Sequence, residues 1–79
     1  MEGIFSMDWL ESLTEREMEV LTILSCGKRN KEIAKSLNIS INTVEKHLRN
    51  IFRKMNVRTR TEAAMMYLRN NEIENHGNP

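Results

Sequence analysis

The sequence predicts an all-α fold, a four-helix domain with a helix-turn-helix at its centre. Three observations carry that expectation. Helix-start signals recur at Thr14 with Glu17, at Asn30, at Ser40 and at Thr59 with Glu62. Between them apolar residues return every three or four positions, the repeat of one side of an α-helix. No apolar–polar alternation runs far enough to make a strand, and the only proline, Pro79, is terminal. Seventy-nine residues make one small domain with a modest core. The domain is expected over residues 13–74, after a leader (1–12) and before a tail (75–79).

Each element follows from its ends. In "LTERE", Thr14 is the N-cap, Glu17 completes a capping box, and Leu13 with Met18 occupy hydrophobic-staple positions. Val20, Leu21 and Leu24 form an inward stripe and Gly27 suits a left-handed C-terminal cap, which puts the first helix at about residues 15–25. "NKEIAKSLNIS" gives a shorter second helix, capped by Asn30 and buried through Ile33, Ala34 and Leu37. Ala34 is small enough to let another helix pass close by. Asn38 tolerates the positive φ that ends this helix, Ile39 plugs the turn, and Ser40 caps the third helix.

That third helix, residues 41–55, places Ile41, Val44, Leu48, Ile51, Phe52 and Met55 on one side. Its other side carries Asn42, Thr43, Glu45, Lys46, Arg49, Asn50, Arg53 and Lys54, nearly all hydrogen-bond donors. The chain then turns through Asn56, Val57 and Arg58 into a fourth helix over about 60–70. Ala63, Ala64 and Tyr67 form its inner stripe. Thr61, Met65, Leu68 and Glu72 form another, more apolar than a monomer needs. In the leader, Trp9 with Leu10 is expected to cover the open end of the core.

The net charge of +1 conceals a strong asymmetry. Before Lys28, six acids face only Arg16; from Lys28 to Arg60, ten lysines and arginines face only Glu32 and Glu45. A basic block between acidic flanks points to a polyanion partner. Catalysis has little to rest on: there is no glycine-rich phosphate loop, no acid pair with a cleft and no nucleophile with its base. No enzyme activity and no cofactor is expected. Cys26 is single, which suits a reducing cytoplasm, and it is expected to be a helix-end packing residue. His47 borders the apolar stripe without a Cys/His/Asp cluster, so a packed histidine outweighs a metal ligand. No apolar run approaches the roughly 20 residues that span a bilayer, and the first thirteen residues lack the pattern of a secretory signal.

"LTEREMEVL", "NKEIAKSLNIS", "NTVEKHLRNIFRKMNV" and "RTEAA" stand in the order and spacing of the LuxR-type, or GerE-like, helix-turn-helix domain, and the chain resembles that family from about Leu13 to Ile73. Region 4 of bacterial sigma factors shares the first three motifs, but "RKMNVRTRTEAA" resembles the LuxR type much more. The resemblance implies a cytoplasmic transcription regulator that binds duplex DNA as a dimer, often through the fourth helix. In many relatives this domain follows a phosphoacceptor or ligand-sensing domain. A stand-alone regulator of the germination-protein type and an excised C-terminal domain both fit the present chain.

The resemblance also implies base contacts from the two residues after the "TV" pair and the residue three positions on, here Glu45, Lys46 and Arg49. Lys46 and Arg49 can reach guanine O6 and N7. Glu45 can accept from a cytosine amino group, or instead pair with Arg49 four residues on. Phosphate contact is expected from Asn42 and Thr43 in the first turn, from Asn50 and Arg53 further along, and from Lys28, Arg29, Asn30 and Lys31 around the second helix. Lys54 covers the core edge with its stem. Arg60 is expected to pair with an acid at the core's edge such as Glu17. Thr61, Met65, Leu68 and Glu72 are the candidate dimer contacts. A protein-interaction module acting on another regulator or RNA polymerase is the alternative function. The basic block favours DNA, and scarce aromatics disfavour RNA.

Overall fold

The computed structural model describes residues 8–76, with side chains over residues 9–71. Among the described residues every element is helical: α1 (Asp8–Ser12), α2 (Glu15–Ser25), α3 (Asn30–Leu37), α4 (Ile41–Met55) and α5 (Arg60–His76). The all-α expectation holds, with one helix more than the sequence reading supplied. That helix, α1, lies in the leader and packs against α4. Its Trp9 is 9% exposed and belongs to the core, with Leu10 partly buried beside it. Five residues are too few to be stable alone, and helix signals are correspondingly weak there; burial of the indole holds the turn in place.

The caps of α2, α4 and α5 are those read from the sequence. Thr14 Oγ1 accepts from the Glu17 N–H and Glu17 Oε1 from the Thr14 N–H, each at 3.0 Å, which starts α2. Ser40 Oγ accepts from the Thr43 N–H at 3.0 Å and starts α4. Thr59 and Glu62 form the same reciprocal pair ahead of α5, and Glu62 takes the Arg58 N–H as well. At α3 the expectation shifts by one residue. Arg29 is the N-cap and Asn30 the first helical residue; the Glu32 carboxylate accepts from the Arg29 N–H at 2.8 Å. Glu32 supplies the reverse half of a capping box even though arginine has no acceptor to supply the forward half.

Two asparagines stop two helices in the same way. Asn38 (φ 58°) and Asn56 (φ 59°) both adopt the left-handed conformation. In each case the next N–H turns back five residues, Ile39 to the Ala34 carbonyl and Val57 to that of Phe52, both at 3.0 Å. This satisfies carbonyls that the helix end would orphan, and Ile39 and Val57 pack on the core. Gly27 (φ 87°) follows α2 in the same left-handed region. α5 runs to His76 rather than to about residue 70, since no glycine or proline interrupts it before Gly77.

α2 touches α3, α4 and α5, and α4 touches every other helix, so the core lies around those two. Val20, Leu21, Ile33, Val44 and Ile51 are fully buried, closed by Leu24, Ala34, Leu48, Met55 and Ala63. Two residues expected inside are outside. Ile41 is 43% exposed: it stands in the first turn of α4, and the buried stripe begins only at Val44. Cys26 is exposed at the C-cap of α2, where the chain has left the helical path. Asn70, buried in the last described stretch of α5, was not anticipated.

Candidate nucleic-acid interface

α4 is held by its apolar stripe, and that fixes what its far side presents. Val44, Leu48, Ile51 and Met55 are buried, whereas Ile41, Asn42, Glu45, Lys46, Arg49 and Arg53 are exposed. The exposed residues recur at the same three- and four-residue spacing, half a turn away from the buried ones. A single strip of side chains therefore faces outward along a helix about 22 Å long. Among the described residues neither Glu45 nor Arg49 has an ion-pair partner, so the Glu45–Arg49 pair is not formed. Lys46 is free of such a partner too. Asn50, half-buried, accepts from Arg53 Nη2 at 3.4 Å. Thr43 keeps its hydroxyl 2.9 Å from that of Ser40, within the cap.

α3 packs on α4 and brings a second group of donors. Lys28, Arg29 and Lys31 are exposed around its start, where helical N–H groups concentrate partial positive charge. The Arg29 N–H hydrogen bond holds the Glu32 carboxyl below the ordinary glutamate range, against the opposing effect of desolvation and with help from the Lys28 and Arg29 charges. Glu32 is thus a fixed anion that closes the first turn of α3. Asn30 is half-buried, and its side-chain oxygen accepts from Arg60 Nη1 at 2.9 Å.

Arg60 does not pair with Glu17. Its second amino group donates to the Lys28 carbonyl at 2.8 Å, so the guanidinium joins the start of α5 to the segment before α3. Glu17 is taken by Lys54, whose Nζ lies 2.7 Å from Glu17 Oε1. Lys54 therefore does more than cover the core edge with its stem. Glu17 is 4% exposed. Burial pushes its carboxyl up, but the Lys54 hydrogen bond, the Thr14 N–H and the charges of Lys54 and His47 outweigh burial and hold it below the usual range.

On α5, Ala63 is buried and Ala64 and Tyr67 half-buried, with the Tyr67 hydroxyl 3.1 Å from that of Thr22 on α2. Thr61, Met65 and Leu68 are exposed, the last two at 55% and 48%. The Glu72 side chain, the fourth member of that group, lies outside the described residues. Sequence reasoning missed Ile41 as a surface feature. It shares the outward strip of α4 with Glu45, four residues on, and its exposure was masked by an apolar identity that fitted the buried stripe.

Among the described residues no cluster of three or more His, Cys, Asp or Glu side chains could hold a metal ion, and no helix is long and apolar enough to cross a membrane. The exposed strip on α4 and the cations around α3 together present Lys28, Arg29, Lys31, Lys46 and Arg49 to solvent without ion-pair partners among the described residues. The profile of "Bacterial regulatory proteins, luxR family" matches residues 11–67. The nitrate/nitrite response regulator protein NarP of Escherichia coli is 54% identical over 56 residues, covering 71% of this chain and 26% of that protein. The transcriptional regulatory protein LiaR of Bacillus subtilis is 49% identical over 63 residues, 80% of this chain and 30% of LiaR. The response regulator protein VraR of Staphylococcus aureus is 44% identical over 64 residues, 81% and 31% respectively. The chain spans less than a third of each of these relatives.

Proposed function

The chain belongs to the luxR family of bacterial regulatory proteins, and from that premise we propose that it regulates transcription by binding duplex DNA at preferred sequences. The observation that carries this reading is the outward strip of α4: Glu45, Lys46 and Arg49 stand exposed and unpaired on a helix whose opposite side is fixed in the core. B-DNA's major groove, about 12 Å wide, admits a helix, and the donors and acceptors on its base edges distinguish all four base pairs. In this reading Lys46 and Arg49 donate to guanine O6 and N7, and Glu45 accepts from a cytosine amino group. Ile41, exposed on the same strip, suits contact with a thymine methyl.

Phosphates are met from both sides of that strip. Asn42 and Thr43 act at the N-terminal end of α4, Asn50 and Arg53 further along, and Lys28, Arg29 and Lys31 at the start of α3. Asn30 keeps only its Nδ2 donors for this purpose, because Arg60 uses its oxygen. We assign two copies to each site, joined through the exposed Thr61, Met65 and Leu68 strip of α5, with Glu72 one turn further on. The protein acts in the cytoplasm as a binding protein, with no catalytic step or cofactor of its own.

The same α5 strip is the one observation that favours a second reading, a docking surface for RNA polymerase or another regulator. A mobility-shift titration against genomic fragments over a range of salt concentrations separates the two. The DNA reading expects tight, salt-sensitive, sequence-dependent shifts. Binding absent even at low salt leaves only the protein-docking reading.

A further inference from the structure

Arg60 opens α5, yet both of its observed hydrogen bonds reach back across the fold to the segment in front of α3. Nη1 donates to Asn30 Oδ1 at 2.9 Å and Nη2 to the Lys28 carbonyl at 2.8 Å. The two acceptors lie on either side of Arg29 in the chain, so one planar guanidinium brackets that residue. Arg29 is tied into the start of α3, its N–H to Glu32 at 2.8 Å and its carbonyl to the Ile33 N–H at 2.9 Å, but the residues before it have less to define them. Gly27 lies at φ 87°, and nothing comes within 4 Å of where a Cβ on it would stand. Lys28 and Arg29 are exposed, and no ion pair restrains either among the described residues.

Two exposed side chains, one of them on the less defined backbone of Lys28, would each lose conformational freedom on meeting a phosphate. A bracket already in place removes much of that cost. Arginine is suited to it because its donors form a rigid fork that can hold two acceptors at fixed separation, whereas lysine offers one compact charge on a flexible stem. We propose that Arg60 is a positioning residue for phosphate binding: it fixes the Lys28–Arg29 segment so that both cations meet the DNA backbone together. The proposal rests on the DNA-binding reading above and adds a residue that does not itself touch DNA. It also ties the phosphate contacts to α5, the helix that carries the exposed Met65 and Leu68.

The test uses Arg60→Lys in the full chain, which keeps the charge and removes the fork. Binding to a mixed-sequence duplex of about 30 base pairs is measured over a range of salt, since each phosphate contact contributes about 0.9 to the slope of log K against log salt. The variant is expected to bind about tenfold more weakly at moderate salt, with the slope reduced by about two although net charge is unchanged. Adding Lys28→Ala to Arg60→Lys should then cause little further loss. Without DNA, amide exchange at Arg29, whose N–H is bonded to Glu32, should quicken while that at Val44 and Leu48 stays as in the wild type. If Arg60 merely stabilised the fold, its replacement would lower the melting temperature and leave the slope alone. Should Arg60→Lys melt below the assay temperature, Arg60→Met, which keeps the stem, is read the same way apart from its lost charge. Wild-type slope and exchange in the variant, or additive effects of Lys28→Ala and Arg60→Lys, would overturn the proposal while leaving DNA binding standing. A wild-type chain that fails to shift the duplex at low salt overturns both.

Discussion

Glu17 Oε1 accepts two hydrogen bonds at once, from the Thr14 N–H at 3.0 Å and from Lys54 Nζ at 2.7 Å. One oxygen therefore closes the cap of α2 and ties the last turn of α4 to its first turn. A carboxylate so placed, its side chain 5% exposed, is costly to leave without its partners, while the Lys54 side chain, 24% exposed, can turn to water.

The pair makes stability depend on acid pH in a definite direction. The folded-state pKa of Glu17 is depressed, so its contribution is fully present above the unfolded value of about 4.3 and is lost as pH falls through the lower folded value. Glu17→Gln keeps an oxygen for the Thr14 N–H and removes the charge; near neutral pH it should cost about 1–2 kcal/mol. The gap between wild type and variant should stay level above about pH 5, shrink below about 4.3, and vanish once Glu17 protonates in the folded state. Thermal melts of both proteins across this range check it, and a gap that holds or widens on acidification contradicts the assignment.

Leu48 tests the orientation of α4. It is 6% exposed in the core that joins α4 to its neighbours, and deleting most of its side chain leaves a cavity. Leu48→Ala should cost roughly 2–5 kcal/mol, a large share of the stability of so small a domain. Chemical denaturation reads the difference directly. An unchanged midpoint would mean that α4 faces its neighbours with another side.

Much of this fold was legible because its helix ends are written in local chemistry. Thr14 with Glu17, Thr59 with Glu62, Ser40, Asn38 and Gly27 each satisfy backbone groups within four residues, so their roles show in the sequence itself. The outward strip of α4 was legible for the same reason, since spacing alone separates Lys46 and Arg49 from Val44 and Leu48. What stayed hidden depends on contacts distant in sequence. Glu17 and Lys54 are 37 residues apart and Arg60 and Asn30 are 30 apart, and charge alone made Arg60 as good a partner for Glu17 as Lys54. α1 was missed because Trp9 needs α4 beside it before its turn is helical. Ile41 misled because apolar identity marks a buried position only when the neighbouring helix extends far enough to cover it.

Base reading by α4 and backbone contact by α3 should respond differently to substitution. Lys46→Ala or Arg49→Ala should each weaken a preferred site by about 1–3 kcal/mol and relax preference at particular base pairs. Lys31→Ala should weaken all sequences alike and reduce the salt slope by about one. Selection of bound sequences by each variant, with affinities at several salt concentrations, separates the effects. Lys46 and Arg49 variants that keep both wild-type strength and wild-type preference would remove α4 from the groove.

Pairing through α5 is the last expectation, and it begins from Met65 and Leu68, exposed at 55% and 48% on one side of the helix. Thr61 stands one turn before Met65 on that side. The opposite side is occupied by Ala63, Ala64 and Tyr67 against α2, so the domain cannot turn the strip inward without losing core. α1 packs against α4 and does not reach across to cover it. Two-fold contact between identical helices would remove both side chains from water and place two copies of α4 about one helical turn of DNA apart. A contact between single helices is small, so DNA should complete a pairing that is weak in solution. Met65→Glu with Leu68→Glu sets like charges against each other across the two-fold axis while leaving the core untouched. The double variant should keep the wild-type melting temperature within a few degrees, fill single half-sites, and lose joint occupancy of paired ones. Sedimentation and DNA stoichiometry measure this, and a double variant that still fills paired sites as the wild type does places the dimer contact elsewhere.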